Sequence, residues 1–211
     1  MVGLGNSASV TGHGQVIRHL ARLPGAKTFV LMFGNVDLDF TYYRSCCLKG
    51  VIPEEEHAAR CIAIYGRFLK DLLATAGEAG GACRICVLAP QPSPIRDAVF
   101  TRVTSIHGKV AEDALLALGG RLDLSHAARI ARTTRFCDRL EREVQDGEAV
   151  RVCRIDGEMV GPDGTLLPRF QPAAPTEHHA TTAETYKCWR RALSGVLDIY
   201  RDFAPKAVAG D

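Results

Sequence analysis

KTFVLMFGNVDLD, residues 27–39, joins an apolar run from Phe29 to Phe33 to the polar tip Gly34-Asn35-Val36-Asp37. An uninterrupted apolar segment closed by a glycine reads as a buried parallel strand, because strands covered on both faces lose the in-out alternation of half-exposed ones. In open α/β sheets the carboxyl end of such a strand is where ligands sit. Upstream lie an amphipathic segment over residues 15–23 and a glycine-rich opening, Gly3-Leu4-Gly5-Asn6-Ser7 through Gly12. Loop, helix, strand and polar tip therefore follow in the order of an α/β ligand layer.

Working outward, residues 38–53 read as a loop carrying Tyr42-Tyr43-Arg44 and Cys46-Cys47. Pro53 followed by Glu54-Glu55-Glu56 marks a helix start, since proline fits the first turn and carboxylates complement its exposed N–H groups. Ala58, Cys61, Ile62, Tyr65, Phe68, Leu69 and Leu72 then recur at helical spacing, which predicts a helix to about Ala76. A second strand is predicted over residues 84–89, stopped by Pro90-Gln91-Pro92-Ser93-Pro94. Residues 95–108 read as a mixed loop or short helix, followed by helices over 109–118 and 125–144, the latter capped by Ser125. A third strand is expected over 149–155 with Asp156-Gly157 at its tip. A last helix is expected over 181–203, with Tyr186, Trp189, Leu193, Val196, Leu197 and Tyr200 facing inward. No internal repeat or low-complexity linker divides the chain, so a single α/β domain over residues 1–211 is the economical reading.

Composition bounds the function classes. With 211 residues, 46% hydrophobic and 24% charged, the chain has the balance of a globular domain. A net charge of +2 gives no basic face suited to nucleic acid, and the arginines between 129 and 142 and at 190–191 read as solvated helix faces. No apolar run reaches the ~20 residues of a membrane span, and the first residues lack the basic and apolar regions of an export signal. The eight cysteines sit largely inside apolar periodic segments and read as buried free thiols, which implies a reducing, cytoplasmic setting. The single Cys83-Arg84-Ile85-Cys86 pair has no second pair and opens no helix, so a zinc or thioredoxin-type site is not favoured.

Polar groups collect at the three strand exits: Asn35 and Asp37 after the first, Gln91 and Ser93 after the second, and Asp156 after the third, leading on to Thr176-Glu177-His178-His179. In a parallel sheet these exits share one edge. The histidine pair directly precedes the last helix, where imidazole, titrating near neutrality, suits a general base.

Gly3-Leu4-Gly5-Asn6-Ser7 before a helix, Phe33-Gly34-Asn35-Val36-Asp37 at a strand end, and the histidine pair opening the last helix together resemble the SGNH (GDSL-type) hydrolases across nearly the whole chain. The resemblance implies a flavodoxin-like, three-layer α/β/α sandwich with a mostly parallel sheet, and hydrolysis of an ester by a serine nucleophile, a histidine base and oxyanion donors. Gly5 fits the family's glycine block, about thirty residues before Asn35, room for one helix and one strand. Gly34 and Asp37 fit the ends of its Gly-x-Asn-Asp block. Val36 stands where that block has asparagine, and Asn35 is displaced by one, a shift that reverses a side chain's face on an extended strand. Gly-Asn-Val-Asp is nearer the Gly-Glu-Ile-Asp form of a branch associated with polysaccharide biosynthesis. Thr176 occupies the place of the family's aspartate before His179, and Pro175 that place for His178, leaving Glu177 or Asp156 as the orienting carboxylate.

The strand that in the family ends in Gly-Asp-Ser has no counterpart here, so the expected fold lacks the usual first strand, and Ser7 in Gly5-Asn6-Ser7 is the candidate nucleophile. The expectation is an SGNH-like hydrolase of a small ester, such as an O-acetyl group of a glycan or metabolite. Its catalytic residues are drawn from Ser7, His178, His179, Glu177 and Asp156, and its oxyanion and substrate contacts from Gly5, Asn6, Gly34, Asn35 and Asp37. No metal or organic cofactor, nucleic acid or membrane is implied. The alternative is an inactive SGNH-like domain serving as a glycan-binding or interaction module. A dinucleotide fold lacks the third glycine and the acidic residue after the next strand. Cys46 or Cys47 as nucleophile lacks a basic partner.

Overall fold

A computed structural model describes residue 4 and residues 12–147 and 149–194 of the chain. Helix α1 (His13–Ala21) leads into β1 (Lys27–Met32), which gives way to a π-helical turn over Asp37–Thr41, α2 (Tyr42–Lys49) and α3 (Glu54–Glu78). Strand β2 (Cys83–Leu88) follows, then α4 (Asp97–Gly108), α5 (Glu112–Gly119) and α6 (His126–Val144). Strand β3 (Val150–Cys153), the short α7 (Asp156–Met159) and α8 (Thr182–Ser194) complete the order. The architecture is mixed α/β around a three-stranded parallel sheet of order β1-β2-β3. Its register runs from Lys27 opposite Cys83 to Met32 opposite Leu88, and from Ile85 opposite Val150 to Leu88 opposite Cys153.

Two parallel crossovers in the same direction place their helices on one face of a sheet, because both connections share the right-handed sense. The core agrees. Phe29 and Leu31, Ile85 and Val87, Val150 and Val152 pack with Ala58, Cys61, Ile62, Tyr65, Phe68, Leu69 and Leu72 of α3 and with Phe136, Cys137 and Leu140 of α6. The apolar periodicity of α3 is therefore buried as predicted, and Ser125 caps α6 by accepting from the Ala128 N–H at 3.3 Å. The opposite sheet face is different. Val30 is 45% and Met32 40% exposed while Leu31 between them is 6% exposed. The apolar run of β1 is thus an edge strand covered on one side, not a strand buried on both.

Three further expectations need correcting. The presumed loop after Asp37 is helical through the π turn and α2, whereas the mixed loop or short helix expected over 95–108 is the helix α4. Arg129 and Arg132 of α6 are 2% and 5% exposed rather than solvated. Tyr186, expected to face inward on α8, is 60% exposed, while Thr185 and Cys188 are buried; the expected inward residues Val196, Leu197 and Tyr200 lie outside the described residues. All eight cysteines are free, and six of them are buried, consistent with thiols acting as small hydrophobes.

The buried arginines join a second cluster to the first. Phe40, Tyr42, Tyr43, Ile95, Phe100, Val103, Leu115 and Leu118 pack together beneath α2, α4 and α5. Arg132 donates from Nη1 to the Tyr43 hydroxyl at 2.6 Å and from Nε to Glu54 at 3.1 Å, with its guanidinium 5.1 Å from the Tyr42 ring centre. Burial works to raise the Glu54 pKa, but the bonds and charges of Arg135 and Arg132 prevail and hold it below the usual carboxylate range. Removing one partner of such a buried set leaves the others unpaired, which costs more than the set contributes as a whole. Arg132→Ala is expected to lower stability by about 3 kcal/mol, or roughly 6–12 °C in melting temperature. Tyr43→Phe, which removes only the hydroxyl, should cost about 1–2 kcal/mol. Equal and negligible losses in thermal unfolding would show that this network does not hold the clusters together.

Candidate active-site cleft

The exit of β1 turns at Gly34, whose φ of 121° lies in the region only glycine enters without strain. Its carbonyl accepts from the Leu38 N–H at 3.0 Å, so the chain passes straight from strand to helix and tightens into the π turn over Asp37–Thr41. Single π turns of this kind often re-aim side chains at functional sites. Because Asn35 and Val36 are already helical, the alternation rule for an extended strand does not apply to this tip.

Asn35 reaches across to the exit of β2. Its Nδ2 donates to the Gln91 carbonyl at 2.9 Å, and its Oδ1 faces the Gln91 N–H at 3.4 Å. Prolines at 90, 92 and 94 leave Gln91 and Ser93 as the main-chain donors of that stretch. The loop's carbonyls are taken up by α6: His126 Nε2 donates to Ser93 at 2.7 Å, the Cys137 thiol to Pro90 at 3.3 Å, and Arg129 to Ile95. Arg129 also bonds Asp97 at 2.9 Å, with its guanidinium 4.1 Å from the Phe100 ring centre.

Between these exits and the start of α8 lies a cleft of about 650 Å³. Its walls include Met32, Phe33, Gly34, Asn35, Asp37 and Asp39 on one side, Gln91 and Pro92 on another, and His178, His179 and Thr182 on a third. The β1 tip and the histidine pair thus face one cavity. Asp37 is 5% exposed, and its carbonyl accepts from His57 Nε2 at 3.3 Å.

The histidine loop is arranged by Glu177. Its Oε1 accepts from His179 Nδ1 at 2.7 Å and from the His179 backbone N–H at 2.9 Å, bonds that hold the carboxyl below its usual range. With Nδ1 so engaged, Nε2 is left as the reactive nitrogen of an exposed ring. His178 is more enclosed, with ring centres 4.0 Å to His179, 4.4 Å to His107 and 5.6 Å to Phe40. Burial first, then the charges of His179 and His107, push its pKa below that of free imidazole. Ligand atoms of Glu177, His178 and His179 all lie within 4.8 Å of one another, close enough to share a metal ion.

Of the other candidates, Asp156 does not line this cleft: its carboxylate oxygens hold Arg154 at 3.0 and 2.7 Å. Gly5, Asn6 and Ser7 lie outside the described residues. Asp39, His107 and His126 were not singled out from the sequence. Asp39 sits inside the opening stretch, two residues past Asp37, and only its depth distinguishes it from a surface acid. Comparison with protein-family models, curated proteins and solved structures finds no match for this chain.

Asp39 is 6% exposed, and burial lifts its carboxyl to about 7 against the hydrogen bond from Ser93 and the charges of Arg129 and His179. Between the ordinary value of 3.8 and about 7, the folded state binds a proton that the unfolded chain releases. Stability therefore falls as pH rises through this window and levels off above it. Asp39→Asn, which cannot ionise, should match the wild type near pH 4 and exceed it by about 1 kcal/mol or more near pH 8. Thermal unfolding across this range, with unchanged slopes for the two proteins, would show that Asp39 is not the group responsible.

Proposed function

We propose that the cleft is a hydrolytic site for a small ester, such as an O-acetyl group on a glycan or metabolite, in an SGNH-like domain. The observation that carries the reading is His179, held by Glu177, facing the same cavity as the Gly34-Asn35-Val36-Asp37 tip. A carboxylate on Nδ1 fixes the tautomer and steadies the positive charge that develops when Nε2 takes a proton.

In this reading Ser7 attacks the acyl carbon as His179 Nε2 removes its hydroxyl proton. The imidazolium then returns that proton to the departing alkoxide, and water releases the acyl group by the same steps. The oxyanion is met by backbone N–H groups of the helical turn opening after Gly34, where a helix start has donors without intrahelical partners. Asn35, bonded to Gln91, serves as a strut between the two exits. Glu177 takes the orienting role, and Asp156 acts structurally through Arg154. The finer architecture belongs to the same proposal: a three-layer, flavodoxin-like sandwich with the parallel sheet as its middle layer.

Hydrolysis of p-nitrophenyl acetate tests this directly. Wild type is expected to be active, with Ser7→Ala and His179→Ala each losing at least ~100-fold in kcat and Glu177→Gln about 10-fold or more. Activity in wild type that survives both Ser7→Ala and His179→Ala overturns the assignment. An inactive wild type favours the cleft as a glycan-binding pocket of a non-catalytic domain.

A further inference from the structure

Outside the hydrolytic reading, the loop before α8 carries a second chemical possibility. Glu177 Oε1 lies 2.7 Å from His179 Nδ1 and 3.8 Å from His178 Nδ1. Two ligand atoms on a tetrahedral ion with bonds of about 2.1 Å stand about 3.4 Å apart. The two measured separations bracket that value, and the whole set spans no more than 4.8 Å. Small side-chain rotations therefore suffice to bring all three atoms to one centre. Two imidazoles and one carboxylate form a donor set suited to zinc and its neighbours, whereas calcium and magnesium favour oxygen ligands. Because His178 and His179 line the cleft, the fourth position of such an ion would be open to water or to a ligand in the cavity.

The surroundings hold the ligands in place. His107, at the end of α4, stacks on Phe40 with ring centres 5.0 Å apart, and His178 packs against both. This aromatic platform restricts the His178 ring, so less rotational freedom is lost when an ion binds.

We propose that Glu177, His178 and His179 form a binding site for a divalent transition-metal ion of the zinc type, with His107 and Phe40 positioning His178 beside it. The site stands on these atoms alone and does not rest on ester hydrolysis. It does have a consequence for that reaction. An ion on Glu177 Oε1 and His179 Nδ1 replaces the hydrogen bond between them, so metal occupancy and the base-orienting pair exclude each other.

The test uses the full chain freed of metal, titrated with zinc against a chromogenic chelator and with cobalt(II) followed by visible absorption. About one ion per chain is expected, with a cobalt spectrum free of thiolate charge transfer, since the ligands are nitrogen and oxygen. His178→Ala and His179→Ala should each weaken binding at least ~100-fold, and His107→Ala about 10-fold. His19→Ala, an exposed histidine on α1, should leave binding unchanged. Absence of binding at micromolar protein, a thiolate band, or equal affinity in wild type, His178→Ala and His179→Ala would each overturn the proposal. Zinc binding by a protein whose metal-free form shows no esterase activity would leave it standing while the hydrolytic reading fails.

Discussion

The cleft depends on the grip of α6 on the proline-rich stretch after β2. A segment with prolines at 90, 92 and 94 cannot join a ladder, and its carbonyls must find donors elsewhere. His126, Arg129 and Cys137 supply them, to Ser93, Ile95 and Pro90. These three residues lie on the flank of α6 that meets the sheet exits, so the helix building the core also fixes the cavity wall. Asn35 then ties the β1 tip to Gln91, and the two exits become one surface. The arrangement requires burying a guanidinium, which is tolerable because Arg129 meets Asp97, two backbone carbonyls and the face of Phe100.

What was legible in the sequence was periodicity. The stripe of α3, the cap of α6 and the strands around Leu31, Ile85 and Val152 follow from spacing that any single sequence displays. The region after Asp37 was not legible, since Asp39, Thr41, Tyr42 and Tyr43 carry no strong helical preference. They are helical because Phe40, Tyr42 and Tyr43 bury themselves under α4 and α5. The buried arginines failed for the same reason: charge counted along a chain does not reveal that Tyr43, Glu54 and Asp97 arrive from elsewhere to meet it. Sheet coverage likewise depends on crossover geometry, which left Val30 and Met32 on the outer face despite an unbroken apolar run.

Within the candidate site, legibility follows sequence distance. Glu177 and His179 are two residues apart, and their hydrogen bond could be anticipated once both were seen before a helix. Asp39 meets Ser93 and Arg129 across far longer separations, and only the folded chain makes it a carboxyl that titrates near neutrality. Asp39 lines the cavity beside His178 and His179, while Glu177, bonded to His179, is held below its usual range by that bond.

Each wall of that cavity is anchored in a different apolar cluster. Gly34 and Asn35 follow from the sheet, while Phe40 and His107 belong to the layer of α2, α4 and α5. The histidine loop is tied down by a third cluster, in which Ile155, Met159, Leu166, Phe170, Ala180 and Cys188 pack together. Thr181 reinforces it, donating from its backbone N–H to Phe170 and from its hydroxyl to Gln171, both at 3.1 Å. The imidazoles are therefore anchored in a cluster other than the one built on the sheet. Their position relative to the β1 tip is transmitted through Phe40, which leaves the π turn and meets His178 edge-on. A five-residue turn that replaces an ordinary helical turn rotates the side chains following it. The irregular backbone after Asp37 thus links the sheet's exit to the histidine loop through Phe40.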